Sequence, residues 1–178
     1  GQKECDWCHK PIVISTFNSV YAMPMPEVNK YAGTYRKALA ENPDDITLNN
    51  SVAMCYLKLQ LYDKALTAFE KAMEDNFDNS ETFFYSAICL LQGKKAFLAP
   101  RDAIDKIEEY INAALMIEPR GIYYYFYAYV KYDYFFRKSY KTQPTYQELL
   151  NTAFQVGISE YDQEQLFSIL NVAKPDVL

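Results

Sequence analysis

Hydrophobic positions along most of the chain recur at the spacing of an α-helix. Between positions 101 and 117, the apolar residues Ile104, Ile107 and Ile111 follow one another at intervals of three and four. Such intervals place them on one face of a helix, with polar residues opposite. Apolar and small residues recur in the same way through positions 49–76. The pattern predicts an all-α fold built from amphipathic helices.

Three of the predicted helices resemble one another position by position. Four sets of matched residues are Ala38, Ala72 and Ala114; Tyr35, Phe69 and Ile111; Leu39, Met73 and Leu115; and Val28, Tyr62 and Ile104. The first and second stretches are 34 positions apart, and the second and third are 42 apart. A period of this length predicts helical hairpins that stack on their neighbours, because one hairpin alone cannot bury its apolar face.

The longer second interval comes from eight additional residues at positions 93–100, between the two helices of one hairpin. Gly93 is typical of a helix end, and Pro100 stands just before the helix predicted at 101–117. An enlarged loop inside a repeat is either a tolerated surface insertion or a binding element. The sequence leaves both interpretations open.

Residues 49–76 carry the most complete repeat. Small side chains let two helices approach closely, and large ones fill the space between units; these residues are Ala53, Ala65 and Ala72, and Tyr56, Tyr62 and Phe69. The segment resembles the tetratricopeptide repeat (TPR), which implies a right-handed solenoid of about three helical hairpins over positions 28–136. It departs from the family pattern at Phe77, where the family often has the proline that the flanking units keep as Pro43 and Pro119.

Tyrosine is concentrated in the segment that follows the repeats. Eight of the 17 tyrosines lie within positions 122–140. A helix there, with aromatic residues on every side, is expected to be buried on more than one face. Helices predicted at 145–156 and 160–170, separated by Gly157, would cover it as a C-terminal cap. The alternative is that the tyrosines line a pocket for a small molecule.

Composition narrows the classes of function. The 178 residues carry 18 basic and 23 acidic side chains, and this charge of −5 argues against nucleic-acid and anionic-membrane partners. Five glycines and one histidine disfavour a Gly-rich phosphate loop and a histidine-dependent hydrolase. No apolar run reaches the ~18 residues of a membrane span. Cys55 and Cys89 lie alone inside helical patterns, and free thiols of this kind favour a reducing compartment, so we expect a cytoplasmic protein.

The N-terminal segment carries a close cysteine pair, Cys5 and Cys8, followed by His9. Two thiolates at this spacing can bind one metal ion, because the intervening turn points both sulfur atoms the same way. With Pro11, the pair resembles one knuckle of a bacterial zinc ribbon, whose second cysteine pair would precede Gly1. The same residues match a haem c attachment signature, and a redox dithiol is a third hypothesis. We predict zinc as the cofactor, with Cys5 and Cys8 as ligands.

Residues 12–26 connect this knuckle to the repeats. Their first part is apolar and rich in β-branched residues, which favours the last strand of a ribbon, and Pro24 and Pro26 indicate a linker. The predicted domains are a zinc-ribbon remnant with its linker at 1–26 and a TPR-like domain with a helical cap at 27–178. This order is similar to bacterial proteins that join a zinc ribbon to a C-terminal TPR domain.

In the TPR family, the first helix of each hairpin lines a concave groove. The resemblance places eight residues of this chain there: Asn50, Met54, Leu57, Lys58, Phe84, Ile88, Leu91 and Phe126. Most are apolar or aromatic, which suits an amphipathic helix or an extended apolar peptide better than a terminal carboxylate. The C-terminal helices are an alternative occupant of the groove.

The predicted function is a protein–protein interaction scaffold that presents this groove to a peptide or helix of a partner, without catalysis. Two hypotheses of other classes stay open. One is a haem or redox protein that uses Cys5 and Cys8, and the other is a small-molecule binder with a tyrosine-lined pocket. Homodimerisation is compatible with the sequence, which does not require it.

Overall fold

The computed structural model of the protein describes residues 13, 14 and 16–178. In this part of the chain the regular structure is helical and no strand forms, so the prediction of an all-α fold is confirmed. A 3₁₀ turn and a π-helical turn, Ala96–Leu98 and Lys131–Phe136, accompany the α-helices. The helices are α1 Phe17–Tyr21, α2 Met25–Glu41, α3 Ile46–Lys58, α4 Tyr62–Met73, α5 Ser80–Cys89, α6 Arg101–Ile117, α7 Gly121–Val130, α8 Tyr146–Val156 and α9 Glu160–Leu170.

The chain divides into two units, one ending at Phe77 and one spanning Asp78–Leu178. In the first unit, α3 packs against both α2 and α4, and the short helix α1 lies against α3. Tyr35 of α2 and Phe69 of α4, which occupy matched repeat positions, are fully buried. The periodic apolar positions are therefore core positions of this unit, as their spacing predicts.

In the second unit, α5 packs against α6, and α7 packs against α8. Helix α6 begins directly after Pro100 and buries Ile104, Ile107 and Ile111 completely, in agreement with the predicted apolar face. The last helix, α9, packs against α5 and α7. It thus covers the helices that begin two successive hairpins.

Local signals fix where the last two helices begin. At α8 and α9, the side chains of Thr145 and Ser159 accept hydrogen bonds from the third helical N–H, and an acidic side chain completes each capping box. Helix α8 stops at Gly157, whose φ of 112° is open to glycine. Both helices lie where the sequence predicts them, to within one residue.

The tyrosine-rich segment differs from the single helix predicted at 122–140. It is α-helical to Val130 and then turns as a π-helix over Lys131–Phe136. The wider turn buries Lys131 and Asp133 together, and each of them forms an ion pair. Tyr123, Tyr125, Phe126 and Tyr129 are fully buried, so the expectation of burial on more than one face is confirmed.

The strand favoured at the start of residues 12–26 does not form at residues 13, 14 and 16, which are the described ones there, and helix α1 follows at Phe17–Tyr21. Pro24 is the N-cap of α2, and Pro26 lies in its first turn, where proline needs no N–H partner. The boundary at residue 26 therefore falls inside a helix, and these prolines start that helix where the sequence indicates a linker. The proposed knuckle, at Cys5 and Cys8, lies outside the described residues.

Candidate functional site

The groove residues predicted in the first unit lie on α3. Met54 and Leu57 are buried, whereas Asn50 and Lys58 are partly exposed. The ammonium of Lys58 lies 4.5 Å from the centre of the Tyr21 ring in α1. Helix α1 therefore lies against this side of α3. Of the four predicted groove residues there, only the polar Asn50 and Lys58 remain in contact with solvent.

The groove residues predicted in the second unit, Phe84, Ile88, Leu91 and Phe126, are all buried. The Phe84 ring lies 5.7 Å from the Phe126 ring, in an edge-to-face contact between α5 and α7. Helix α9 packs against the same two helices, as the alternative of a groove filled by the C-terminal helices predicts. In this unit the predicted groove residues are parts of the core, and they form no open surface.

An open cavity of about 560 Å³ lies between the π-helical turn and the start of α8. We call it the aromatic cavity, and its lining residues are Lys131, Phe136, Tyr140, Lys141, Thr142, Gln143, Thr145, Tyr146 and Gln147. Phe136 is 54% exposed and Tyr140 is 50% exposed, and both line this one cavity. The sequence offered a tyrosine-lined pocket in this segment as an alternative, but it did not identify Phe136, Tyr140 or Tyr146 as its lining.

Ring contacts hold the walls of the aromatic cavity. Tyr146, the first residue of α8, meets Phe136 edge to face, with ring centres 5.0 Å apart. Tyr132 makes a second edge-to-face contact with Tyr146 at 5.1 Å and stacks on Phe136 at 5.7 Å. Such geometries are favourable for aromatic pairs, so the walls are fixed before any ligand arrives.

The floor of the aromatic cavity contains a buried lysine. The Lys131 ammonium lies 3.0 Å from a carboxylate oxygen of Glu108 in α6, and it also donates to the Thr142 hydroxyl. The Tyr127 hydroxyl donates to the same carboxylate at 2.9 Å. Burial, followed by the charge of Glu108, raises the pKa of Tyr127. The lysine is therefore held as a structural cation, with its donors in use.

The eight-residue insertion is tied to the other side of the π-helical turn. One Asp133 oxygen accepts from the backbone N–H of Phe97 at 2.8 Å, and the other accepts from Arg137 at 2.7 Å. The Tyr129 hydroxyl accepts from the N–H of Ala96 at 3.2 Å. These bonds anchor the insertion, and burial raises the pKa of Tyr129 as well.

Two further cavities carry charges of both signs. One, of about 540 Å³, lies beside the C-terminal segment and includes Asp133 and Arg137, which pair with each other. The other, of about 810 Å³, lies in the first unit, where Lys71 pairs with Asp44 and Glu74. Because each cavity is lined by charges of both signs, neither indicates the charge of a ligand.

The cysteine pair and His9 lie outside the described residues, so the zinc, haem and dithiol hypotheses stay predictions. Within residues 13, 14 and 16–178, no cluster of three or more histidine, cysteine or acidic side chains is arranged to hold a metal ion. Cys55 and Cys89 are buried, and neither forms a disulfide within the described residues. None of the described helices has the length and apolarity needed to cross a membrane.

Comparison with known proteins identifies the fold. No protein-family model and no curated protein matches this chain. Among solved structures, a chain described as MamA MSR-1 C2 superposes with a TM-score of 0.56 and 19% identity, over 73% of this chain and 67% of that one. Its architecture is TPR-like, so the similarity supports a TPR-like fold for the helical hairpins described above.

Proposed function

We propose that this protein is a protein-interaction scaffold that binds a segment of a partner protein at the aromatic cavity. The observation that carries the proposal is the pair of large side chains, Phe136 and Tyr140, left half exposed around a cavity in a TPR-like fold. Contiguous exposed aromatic surface is costly unless a partner covers it, and aromatic residues are enriched in the buried centres of protein interfaces.

The aromatic cavity is favoured over the groove predicted from the TPR pattern because it is open. Binding at Phe84, Ile88, Leu91 or Phe126 would first require α9 to leave α5 and α7. That step would expose Phe167, whose ring meets Tyr129 edge to face at 5.5 Å. In this proposal the groove is a second docking surface that forms only when α9 is displaced.

The proposed role is display without catalysis. Lys131, the buried cation beside the cavity, is held by Glu108, Thr142 and the Gln143 carbonyl, so its ammonium is engaged in structural contacts and not presented to a substrate. The fixed aromatic walls instead favour recognition, because preorganised side chains lose little conformational entropy on binding.

Site-specific photo-crosslinking in the source cells tests the scaffold. A photoreactive amino acid at position 140 should crosslink to a small, reproducible set of proteins. The control position is 116 in the same unit, because Met116 is 89% exposed and lies outside the cavity. The proposal fails if position 140 gives no crosslinks or gives the same set as position 116.

A small molecule in the same cavity is the second candidate. The volume of about 560 Å³ lies within the range of about 300–1,000 Å³ typical of ligand sites, and aromatic walls with a few polar groups are typical of them. A panel of aromatic carboxylates would then raise the melting temperature of the wild type but not of the Tyr140→Ala variant. No stabilisation by any member of the panel would contradict this candidate.

A further inference from the structure

We infer that the partner segment at the aromatic cavity is an acidic peptide with one large aromatic side chain. This inference rests on the proposed function and adds the chemistry of the partner. It follows from two properties of the cavity, namely its aromatic walls and the sign of its charges, and the two other cavities described above carry charges of both signs.

The walls select an aromatic anchor. Phe136 and Tyr146 present an edge-to-face pair, and Tyr140 faces the same cavity from the chain segment beyond the π-helical turn. An inserted ring can complete edge-to-face contacts with these rings and remove their half-exposed surface from water. Anchors of this kind dominate the affinity of protein interfaces.

The charges select an acidic segment. Two lysines, Lys131 and Lys141, line the aromatic cavity, and no acidic residue lines it. The charge of Lys131 is paired with Glu108, so the positive charge offered to a ligand is that of Lys141. Positions 131–141 carry four basic residues and one acidic residue, in a chain whose overall charge is −5. The acidic residue is Asp133, which is buried and paired with Arg137 at 2.7 Å.

The nearest acidic side chain after this segment is also engaged. Glu148 accepts a hydrogen bond from the backbone N–H of Thr145 at 2.9 Å, as part of the capping box of α8. Lys141 is exposed at the rim of the cavity. An acidic peptide would therefore meet a local positive charge here, while the acidic excess over the rest of the chain disfavours it elsewhere.

The test uses the full chain and three short fluorescent peptides, with fluorescence polarisation as the readout. The first peptide has a central phenylalanine flanked by glutamates, the second has alanine in place of phenylalanine, and the third has lysines in place of the glutamates. We expect the first peptide to bind at least about tenfold more tightly than either of the others, with an affinity that falls as salt is added.

Two pairs of variants locate the binding. Tyr140→Ala and Lys141→Glu should each weaken the first peptide at least about tenfold, and Lys141→Glu should also improve binding of the lysine peptide. The matched controls, Met116→Ala and Lys94→Glu, change exposed residues outside the cavity and should leave both affinities unchanged. Because all four residues are exposed, the variants should fold, which circular dichroism would verify.

Three results would overturn the inference. One is equal binding of the glutamate and lysine peptides, and another is unchanged binding by the Tyr140→Ala variant. The third is concentration-dependent dimerisation in analytical ultracentrifugation that Tyr140→Ala abolishes, which would make a second copy of the chain the occupant. If no peptide binds but crosslinks at position 140 persist, the inference of an acidic peptide is wrong and the proposed scaffold function stands. If there is neither peptide binding nor crosslinking, the inference and the proposed function both fail.

Discussion

The ammonium of Lys131 lies 3.0 Å from the carboxylate of Glu108, although Lys131 is only 2% exposed and Glu108 is 20% exposed. This ion pair joins α6 to the π-helical turn across 23 positions of sequence. It thereby holds the turn from which Phe136 projects toward the aromatic cavity. The pair connects the packing of a repeat helix to the geometry of the candidate site.

Removing Glu108 should destabilise the protein more than removing Lys131 does. Glu108→Ala leaves the Lys131 ammonium buried without its counter-charge, and a broken buried pair costs about 3–5 kcal/mol. Lys131→Met should cost less, because Glu108 is more exposed and keeps the hydrogen bond from Tyr127. Urea denaturation measures both free energies of unfolding. Equal losses below about 1 kcal/mol would show that the pair contributes little.

Two glycine-to-alanine substitutions should change the free energy of unfolding in opposite directions. A Cβ at Gly121, the first residue of α7, would overlap the backbone carbonyl of Gly157, which cannot move aside as a side chain can. Gly121→Ala should lower the free energy of unfolding by about 1–3 kcal/mol or more. In α2, a Cβ at Gly33 meets only the Arg36 guanidinium at 3.8 Å. Because alanine is favoured over glycine inside a helix, Gly33→Ala should raise the free energy of unfolding by about 0.5–1 kcal/mol. Thermal denaturation of the two variants would contradict this account if both melt at the same temperature.

Helix α9 should depend on one aromatic side chain. Phe167 is buried, with its ring edge to face against Tyr125 and Tyr129, and Phe167→Ala should cost about 3–5 kcal/mol. Phe154→Ala is the control, because Phe154 also meets Tyr125 but is 54% exposed, and it should cost below about 1 kcal/mol. Hydrogen exchange should show α9 losing protection in the Phe167 variant before α7 does. Simultaneous loss in both helices would mean that α9 does not open separately.

Stability should fall in alkaline solution. Burial raises the pKa of Cys55 from 9.0 to about 12, and burial likewise raises the pKa of Tyr123 and Tyr125 from 10.0 to about 12. The unfolded chain therefore releases these protons at lower pH than the folded chain does. The contribution of these protonated groups to the free energy of unfolding is complete below about pH 9. It is lost as the pH rises toward 12, and the free energy of unfolding then falls by up to about 1.4 kcal/mol per pH unit for each group.

Cys55→Ala separates the thiol from the tyrosines in this alkaline loss. The variant should lose less stability than the wild type between about pH 9 and pH 10, because the thiol of an unfolded chain ionises near 9.0 and its tyrosines only near 10.0. Urea denaturation at several pH values measures the difference. Identical pH profiles for the two proteins would show that the Cys55 thiol does not contribute.

The sequence by itself determined most of the helical segments and the spacing at which they repeat, but not α1 or the π-helical turn. The limits of α6 follow from the spacing of Ile104, Ile107 and Ile111 and from Pro100, and the ends of α8 and α9 follow from their caps and from Gly157. These signals depend on residues within one or two turns of each other, so a single sequence contains them.

Only the tertiary structure decided how that pattern is used. The π-helical turn depends on Lys131 meeting Glu108 and on Asp133 meeting the Phe97 N–H, contacts between residues far apart in sequence. Likewise, α9 packs against α5 and α7, and the residues of those helices that the repeat pattern assigns to a groove are buried. Periodicity states that a face is apolar but not which element covers it. The free energy of burial is non-directional, and the choice among partners is made by the whole chain.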